Sequence, residues 1–506
     1  MLELLWIGLM NVVTDPMNLL MLFLSIIIGY IGGAIPGISG TMLIVILIPV
    51  TYSFEPAAAF ILLTGIYSVT ALSGAFGSIL LRTPGTPEAV FTTYDGYPMA
   101  QQGYAGRALG VTILTSVIAG LFGVFCLITL TPLLANVALS FSSPEYFALA
   151  FMGLTVVASL SGKDIFKGLI GVLFGLMIAT IGMDSLTGTL RYTFNLPSLT
   201  SGIQLIPVIT GLFALSEFIK KSTESHALEK AIKVVKTKIF EKEIFKKISG
   251  TIAGSSLIGM FIGILPGVGA TTAAMLAYSE TVRWSKDEEK ETFGKGNPKG
   301  VAASEAASNA AGMGTLVPLL SLGIPGGATA AILIGAFVLH GMQPGPMLFK
   351  TNPELMYTIF AGLLISNLLM LFVSKPFIKL FEQIIRIPYS FLGPLIVVLC
   401  VIGTYTLRNS FFDITIMAIF GVIGYFLEKF RFPLATIILG VVLGPIAESQ
   451  FRRAVQMADG DYSIFLTRPI SVTLIVVSIL MLFFPLVTDY LKKRKKNKNN
   501  TINPTA

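Results

Sequence analysis

Charge is what this chain has least of. Only 12% of its 506 residues are Asp, Glu, Lys or Arg, against about 25% in an average soluble domain. A soluble protein of that length could not cover its surface with so few charges. Cysteine is scarcer still. Cys126 and Cys400 both lie inside apolar runs, which excludes a disulfide framework and reads as two buried small apolar residues. Histidine is limited to His226 and His340, too few for a His-rich metal site, and no HExxH occurs. With so little material for a metal cluster or a nucleophile–base pair, the chain is not expected to be an enzyme and no cofactor is expected.

What is present is apolar. Hydrophobic residues make up 54% and the mean hydropathy is +0.81. Uncharged runs recur throughout: 39 residues between Asp15 and Glu55, 37 between Arg107 and Glu145, 44 between Glu305 and Lys350. These runs are continuous rather than alternating, and a spanning helix needs about 20 such residues. The chain is therefore read as an all-α, multi-pass integral membrane protein with roughly 11–14 membrane segments. No basic leader precedes the first apolar run, so the first segment is expected to be retained.

The net charge of +8 is concentrated. Residues 217–247 hold nine Lys and five Glu, a net of +4, and Asp489–Lys498 holds six basic residues and one acid, a net of +5. The rest is 8 − 4 − 5 = −1, so the excess is a topology signal and no nucleic-acid partner is expected. The organisation expected is a first membrane half (1–216), a basic linker helix (217–247), a second membrane half (248–490) and a basic tail (491–506). The positive-inside rule puts linker and tail in the cytoplasm. Arg283–Lys299 reads as a loop.

A Gly/Pro pattern occurs twice. Gly33-Ala-Ile-Pro36-Gly37-Ile-Ser39-Gly40-Thr41 has the form GxxPGxxxT, and Gly263-Ile-Leu-Pro266-Gly267-Val-Gly269-Ala-Thr271 repeats it 230 residues later. Each is followed by a second break: Thr83-Pro84-Gly85-Thr86-Pro87 in the first half, Ile324-Pro325-Gly326-Gly327-Ala-Thr329 in the second. Proline removes a backbone N–H and glycine permits a sharp turn, so each break frees polar backbone groups. In hydrocarbon these are tolerated only beside protein or a water-filled cavity. Matched breaks in two halves point to the binding site of a secondary transporter built from broken helices or re-entrant hairpins. A helix restarting after Pro-Gly offers its positive end to an anion. The hydroxyls of Ser39, Thr41, Thr271 and Thr272 fall at such restarts, where they could hold a carboxylate or, with freed carbonyls, a sodium ion.

Polar residues near the breaks extend the candidate site. Arg82 could pair with a substrate carboxylate or reach to the interface. Glu305, Ser308 and Asn309, with Ser304, form one polar stripe and are candidates for coupling to Na+ or H+. Asp95, in Tyr94-Asp95-Gly96-Tyr97-Pro98, is a further coupling candidate and is expected in a turn. His340 reads as a helix-end residue.

At these residues the sequence resembles the large membrane subunit of the tripartite tricarboxylate transporters. The similarity is carried by Gly33–Thr41, Ile79–Gly110, Gly263–Ala274, Gly294–Asn309 and Leu316–Leu348, and extends in character over about residues 15–490. The resemblance implies a bacterial cytoplasmic-membrane subunit that imports a citrate-like di- or tricarboxylate on an ion gradient. It also implies two partners, an extracytoplasmic solute-binding protein and a small membrane subunit of about four spans. No Walker A pattern is present, consistent with transport without ATP. The family commonly has Asn at Arg82, Asn at Ser308 and Pro at Ser304, so the resemblance implies an organic anion without fixing citrate. The other readings of the same breaks are an anion-selective channel and a stand-alone carboxylate/ion symporter without the partners.

Overall fold

The structure, a computed structural model, describes residues 1–35, 38–160, 165–184, 186–223, 239–384 and 389–482. Pro36 and Gly37, His226, most of the linker and the basic tail lie outside the described residues. The architecture is helical. Among the described residues the strands are Gly182–Met183 and Leu190–Arg191, which pair antiparallel. Among the described residues seven helices are long and apolar enough to cross a membrane, and six shorter apolar helices of 10–17 residues accompany them.

The chain divides into two compact units, and each draws on both sequence halves. The larger comprises Met1–Leu139 and Gln204–Phe426. Its first segment contains α1 (Leu2–Thr14), α2 (Pro16–Ala34), α3 (Gly40–Thr51), α4 (Pro56–Leu81), a 3-10 turn (Pro87–Ala89), α5 (Val90–Met99) and α6 (Ala105–Ala138). Its second contains α7 (Lys242–Ile264), α8 (Gly269–Trp284), α9 (Pro298–Leu322), α10 (Ala328–Leu339) and α11 (Pro353–Ile384). Between α8 and α9 lies the stretch read as a loop. Its start continues α8 to Trp284, one short helix forms at Asp287–Lys290, its last two residues open α9, and the rest is turn and coil.

Local chemistry sets the helix ends. Asp15 caps α2 by accepting from the backbone N–H of Met17 (2.8 Å) and Asn18 (2.9 Å), with Pro16 at the first helical position, where its missing N–H costs nothing. Ser39 caps α3 through the Met42 N–H (3.1 Å), and Asn297 caps α9 through the Lys299 N–H (2.9 Å). Helices α4 and α9 both stop at a residue in the left-handed region: Arg82 (φ 57°) and Gly323 (φ 75°). Glycine takes that conformation without strain, while a residue with a Cβ does not.

Helix α9 is the buried centre of this unit, with every residue from Gly300 to Ser321 inside. It packs on α6, α7 and α8. Its Ala, Gly and Ser surface allows close approach, as small residues do inside membranes. A Cβ on Gly259 or Gly263 of α7 would overlap the carbonyl oxygens of Ala307 and Ala311. The first half repeats this with α2 on α4, where a Cβ on Gly33 would overlap the Ser73 hydroxyl. The halves also exchange long helices: α6 of the first packs on α9 of the second, and α11 of the second packs on α4 of the first.

The smaller unit comprises Ser140–Ile203 and Leu427–Ala506. There the helix Leu434–Met457 packs on Ser143–Leu160 and Ile165–Ala179, with Gly175 and Gly440 at the contact. Asp184, Arg191, Glu448 and Arg452 form an ion network at the strand pair. Arg452 donates to Asp184 at 2.6 Å, and Arg191 donates to both Glu448 oxygens at 2.6 and 3.2 Å. The Arg452 guanidinium, helped by the Leu186 N–H, holds the Asp184 carboxyl well below the usual carboxylate range.

Candidate transport site

The breaks of the two halves have the same backbone hydrogen bonds. In the first break the Ile35 N–H donates to the Gly32 carbonyl (3.2 Å), and in the third Leu265 donates to Ile262 (3.2 Å). In the second break Thr83 donates to Gly77 (3.2 Å) and Gly85 to Gly74 (3.1 Å). In the fourth, Ile324 donates to Pro318 (3.2 Å) and Gly326 to Thr315 (3.3 Å). The offset is 230 for the first arm (Gly33 to Gly263) and 241 for the second (Gly85 to Gly326). These bonds answer the backbone accounting that a break in hydrocarbon demands.

Within each half the two breaks touch. A Cβ on Gly85 would overlap the Gly33 carbonyl oxygen, and a Cβ on Gly326 would lie 2.7 Å from the Gly263 carbonyl oxygen. Gly327 approaches Gly269, with an added Cβ 3.5 Å from its Cα. Pro266 and Pro325 are buried, and Gly267 and Gly269 take positive φ (79° and 72°). Contacts also run between halves. The hydroxyls of Thr41 and Thr329 hydrogen-bond at 2.8 Å, joining the first break to the fourth. The Pro87–Ala89 turn, after the second break, packs on α8, after the third. Thr271 and Thr272 are the third and fourth residues of α8, with Thr271 exposed.

The polar candidates divide among different duties. Glu305 is 1% exposed. It accepts from the hydroxyls of Thr92 on α5 and Ser116 on α6, the latter at 3.0 Å. Ser304 hydrogen-bonds Thr92 at 2.9 Å. Ser308 and Asn309 donate to the Glu305 carbonyl (3.2 and 2.9 Å), so their donors serve the helix backbone. Asp95 is not in a turn, which corrects the sequence reading: it lies in α5 and is fully buried. One carboxylate oxygen accepts the N–H groups of Gly294 (2.9 Å), Gly296 (3.0 Å) and Asn297 (2.8 Å), and the other accepts the Tyr278 hydroxyl (2.8 Å). Asp-Gly chemistry suggested a local turn, and the tertiary acceptor role overrides it. Arg82 lies over the Tyr97 ring, 5.8 Å from its centroid. His340 caps the end of α10.

Two residues were missed by the sequence reading. Glu88 sits three residues after Gly85, in the Pro87–Ala89 turn that packs on α8. The scarcity of charge near a break could have singled it out. Tyr67 on α4 hydrogen-bonds Thr315 on α9 (3.0 Å), and no sequence signal marks it.

A family model described as the tripartite tricarboxylate transporter TctA family matches residues 19–439. An uncharacterized 52.8 kDa protein from the TAR-I ttuC' 3' region of Agrobacterium vitis is 36% identical over 481 residues, covering 95% of both chains. A second uncharacterized protein of that organism, from the TAR-II ttuC' 3' region, is 37% identical over 236 residues, covering 47% of this chain and 97% of its own. No solved structure matches.

Proposed function

Since the chain belongs to the tripartite tricarboxylate transporter TctA family, we propose that it is the translocating subunit importing a small di- or tricarboxylate across the cytoplasmic membrane. Transport is driven by a sodium or proton gradient. A soluble binding protein delivers the anion from outside, and a small membrane subunit completes the complex. The observation that carries this reading is the meeting of four duplicated breaks, with Thr41 and Thr329 in hydrogen-bond contact across the halves. Substrate carboxylates are held by the helix starts at Gly40, Gly269 and Ala328 and by the hydroxyls of Thr41, Thr271, Thr272 and Thr329. Arg82 leaves its Tyr97 stack to pair with one carboxylate. Glu305, Ser308, Asn309 and Asp95 remain the coupling candidates, Glu305 foremost because it is a buried acid satisfied by hydroxyls alone.

Alternating access moves one part of the protein against the other around the breaks. The test is uptake of labelled citrate, tricarballylate and succinate into proteoliposomes holding the chain with both partners. Saturable uptake that collapses with the sodium or proton gradient is expected. Glu305→Gln, a near-isostere, should lose coupling or affinity while remaining folded. Uptake that survives collapse of both gradients, or ohmic conductance in its place, would refute the reading.

A further inference from the structure

Two membrane helices of the larger unit lose their charge side by side. Helix α6 carries Arg107 in its first turn, and nothing charged follows for 37 residues. Helix α7 carries Lys242, Glu243, Lys246 and Lys247 at its start, and 32 uncharged residues follow. The helices pack on each other, and the Arg107–Glu241 ion pair sets the two changes next to each other. Together they mark one boundary between polar surface and hydrocarbon.

A cleft straddles that boundary. Its walls are Val111, Leu114, Ile239, Ile244, Phe245 and Ile248, and its polar rim is Arg107 with Glu241. The space is about 220 Å³ including its open side, which suits a chain segment and not a folded domain. The rim is cationic. Arg107 donates to Glu241 from Nη2 (3.1 Å) and, more weakly, from Nε (3.5 Å). Its Nη1 has no acceptor among the described residues, and its side chain remains 40% exposed. The guanidinium lies over the Tyr104 ring, 5.0 Å from the centroid, which orients its fork. Lys242 and Lys246, four apart on α7, are exposed and have no acidic partner among the described residues. Three cations thus stand against the one carboxylate of Glu241. Glu243 does not join them, because positions two apart on a helix do not share a face, and Lys247 is engaged by Glu289 at 3.6 Å.

We propose that this cleft binds an anionic phospholipid, with its phosphate on Arg107, Lys242 and Lys246 and one acyl chain along the apolar walls. A cationic rim above an apolar wall, at the level where hydrocarbon begins, matches both parts of that molecule. A free phosphate would use only the rim, and a neutral lipid only the wall. Basic pockets between membrane helices favour anionic headgroups, each cation contributing about fivefold in affinity. Phe240, exposed and 5.5 Å from the Phe245 ring, adds an interfacial aromatic beside the rim. The inference rests on the chain being a membrane protein and not on what it transports.

The test is lipid binding by the purified full-length chain in a neutral detergent. Its thermal midpoint is followed as phosphatidylglycerol, or phosphatidylcholine with the same acyl chains, is added to the micelles. A ligand that binds only the folded state raises the midpoint. Phosphatidylglycerol should stabilise the wild type more than phosphatidylcholine does, and inorganic phosphate should not replace it. Arg107→Gln should raise the half-saturating fraction of phosphatidylglycerol about fivefold, and Lys242→Gln with Lys246→Gln should raise it by about that factor or more. Lys286→Gln, which removes an exposed lysine beyond the end of α8, should behave as wild type. Equal stabilisation by phosphatidylcholine, or by phosphate alone, overturns the proposal. So does an unaltered response in Arg107→Gln, or an equal loss in Lys286→Gln, which would reduce the effect to diffuse surface charge. If Arg107→Gln does not fold, the double lysine variant, whose side chains are exposed, carries the same expectation and the same refutation.

Discussion

Alanine at Gly326 tests whether the paired breaks hold the molecule together. The added methyl would lie 2.5 Å from Thr315 Cα, 2.7 Å from the Gly263 carbonyl oxygen and 2.9 Å from Thr315 Cβ. Optimal separation between non-bonded carbons is about 3.5–4.0 Å, so the fourth break must move by about 1 Å. Overpacking a well-fitted site costs about 1–3 kcal/mol. The upper end applies here, because two of the three obstacles are backbone atoms and they belong to two different elements. Gly85→Ala poses the same problem in the first half, against the Gly33 carbonyl oxygen and Gly74 Cα. The control is Gly250→Ala in α7, where nothing lies within 4 Å of the new methyl. Relief of a helix glycine should there stabilise by about 0.5–1 kcal/mol. Thermal midpoints in detergent, read by size-exclusion after heating, and uptake in proteoliposomes are the assays. Gly326→Ala and Gly85→Ala should melt several degrees lower and lose uptake, while Gly250→Ala should melt at or above the wild type. If Gly326→Ala melts with the wild type and still transports, the breaks are not interlocked as described.

Three further predictions concern single contacts. A double-mutant cycle with Thr41→Val and Thr329→Val should show a coupling of about 1 kcal/mol in thermal stability, the ordinary worth of one hydrogen bond; additive effects would dismiss the pair. Asp95→Ala strands three backbone N–H groups and the Tyr278 hydroxyl, of which the buried Asn297 N–H alone should cost about 1–3 kcal/mol when unpaired. It should express poorly and melt far below Tyr278→Phe, which removes one donor, and equal melting of the two would refute the anchoring role. Asp184 has a depressed folded value, so its contribution to stability is present above the unfolded carboxylate value of about 4 and is lost as pH falls through the folded one. Asp184→Asn should flatten the acid limb of the stability–pH curve, and an unchanged limb would remove Asp184 from the account.

The parts of the fold legible in the sequence are those written locally. The absence of charge over long runs marks the membrane helices, and each Pro-Gly break is visible because proline and glycine act on their own backbone. What could not be read depends on which apolar helix meets which. Thr92 and Ser116, the partners of Glu305, lie 213 and 189 residues away, and hydropathy does not rank one apolar face above another. The two compact units cut across the repeat for the same reason. Asp95 was misplaced because Asp-Gly is a turn signal in isolation, whereas three amide donors from residues 294–297 claim its carboxylate. Even the repeat was only half legible. The offset changes from 230 to 241 between the two arms, so the equivalence of Arg82 with Gly323 is hidden until the extra residues are located between the helix starts of the two halves.

That equivalence bears on where specificity can reside. The hydrogen bonds at the breaks recur in both halves at nearly the same lengths, so backbone geometry cannot distinguish the two sides of the site. Side chains can, and they differ where charge appears: Arg82 against Gly323, and Glu88 against Thr329. Arg82 occupies a left-handed position that its counterpart fills with glycine, a conformation that costs a residue with a Cβ about 1–2 kcal/mol. Its stacking on an aromatic ring is worth only about 0.5–1 kcal/mol at an exposed site and does not outweigh that cost. A strained arginine and a glutamate, flanking the same break of the same half, give an otherwise duplicated framework charge that the matching positions of the other half lack. The framework holds helix ends and hydroxyls in duplicate; what separates the two halves at these breaks is the pair of charged residues that is not duplicated.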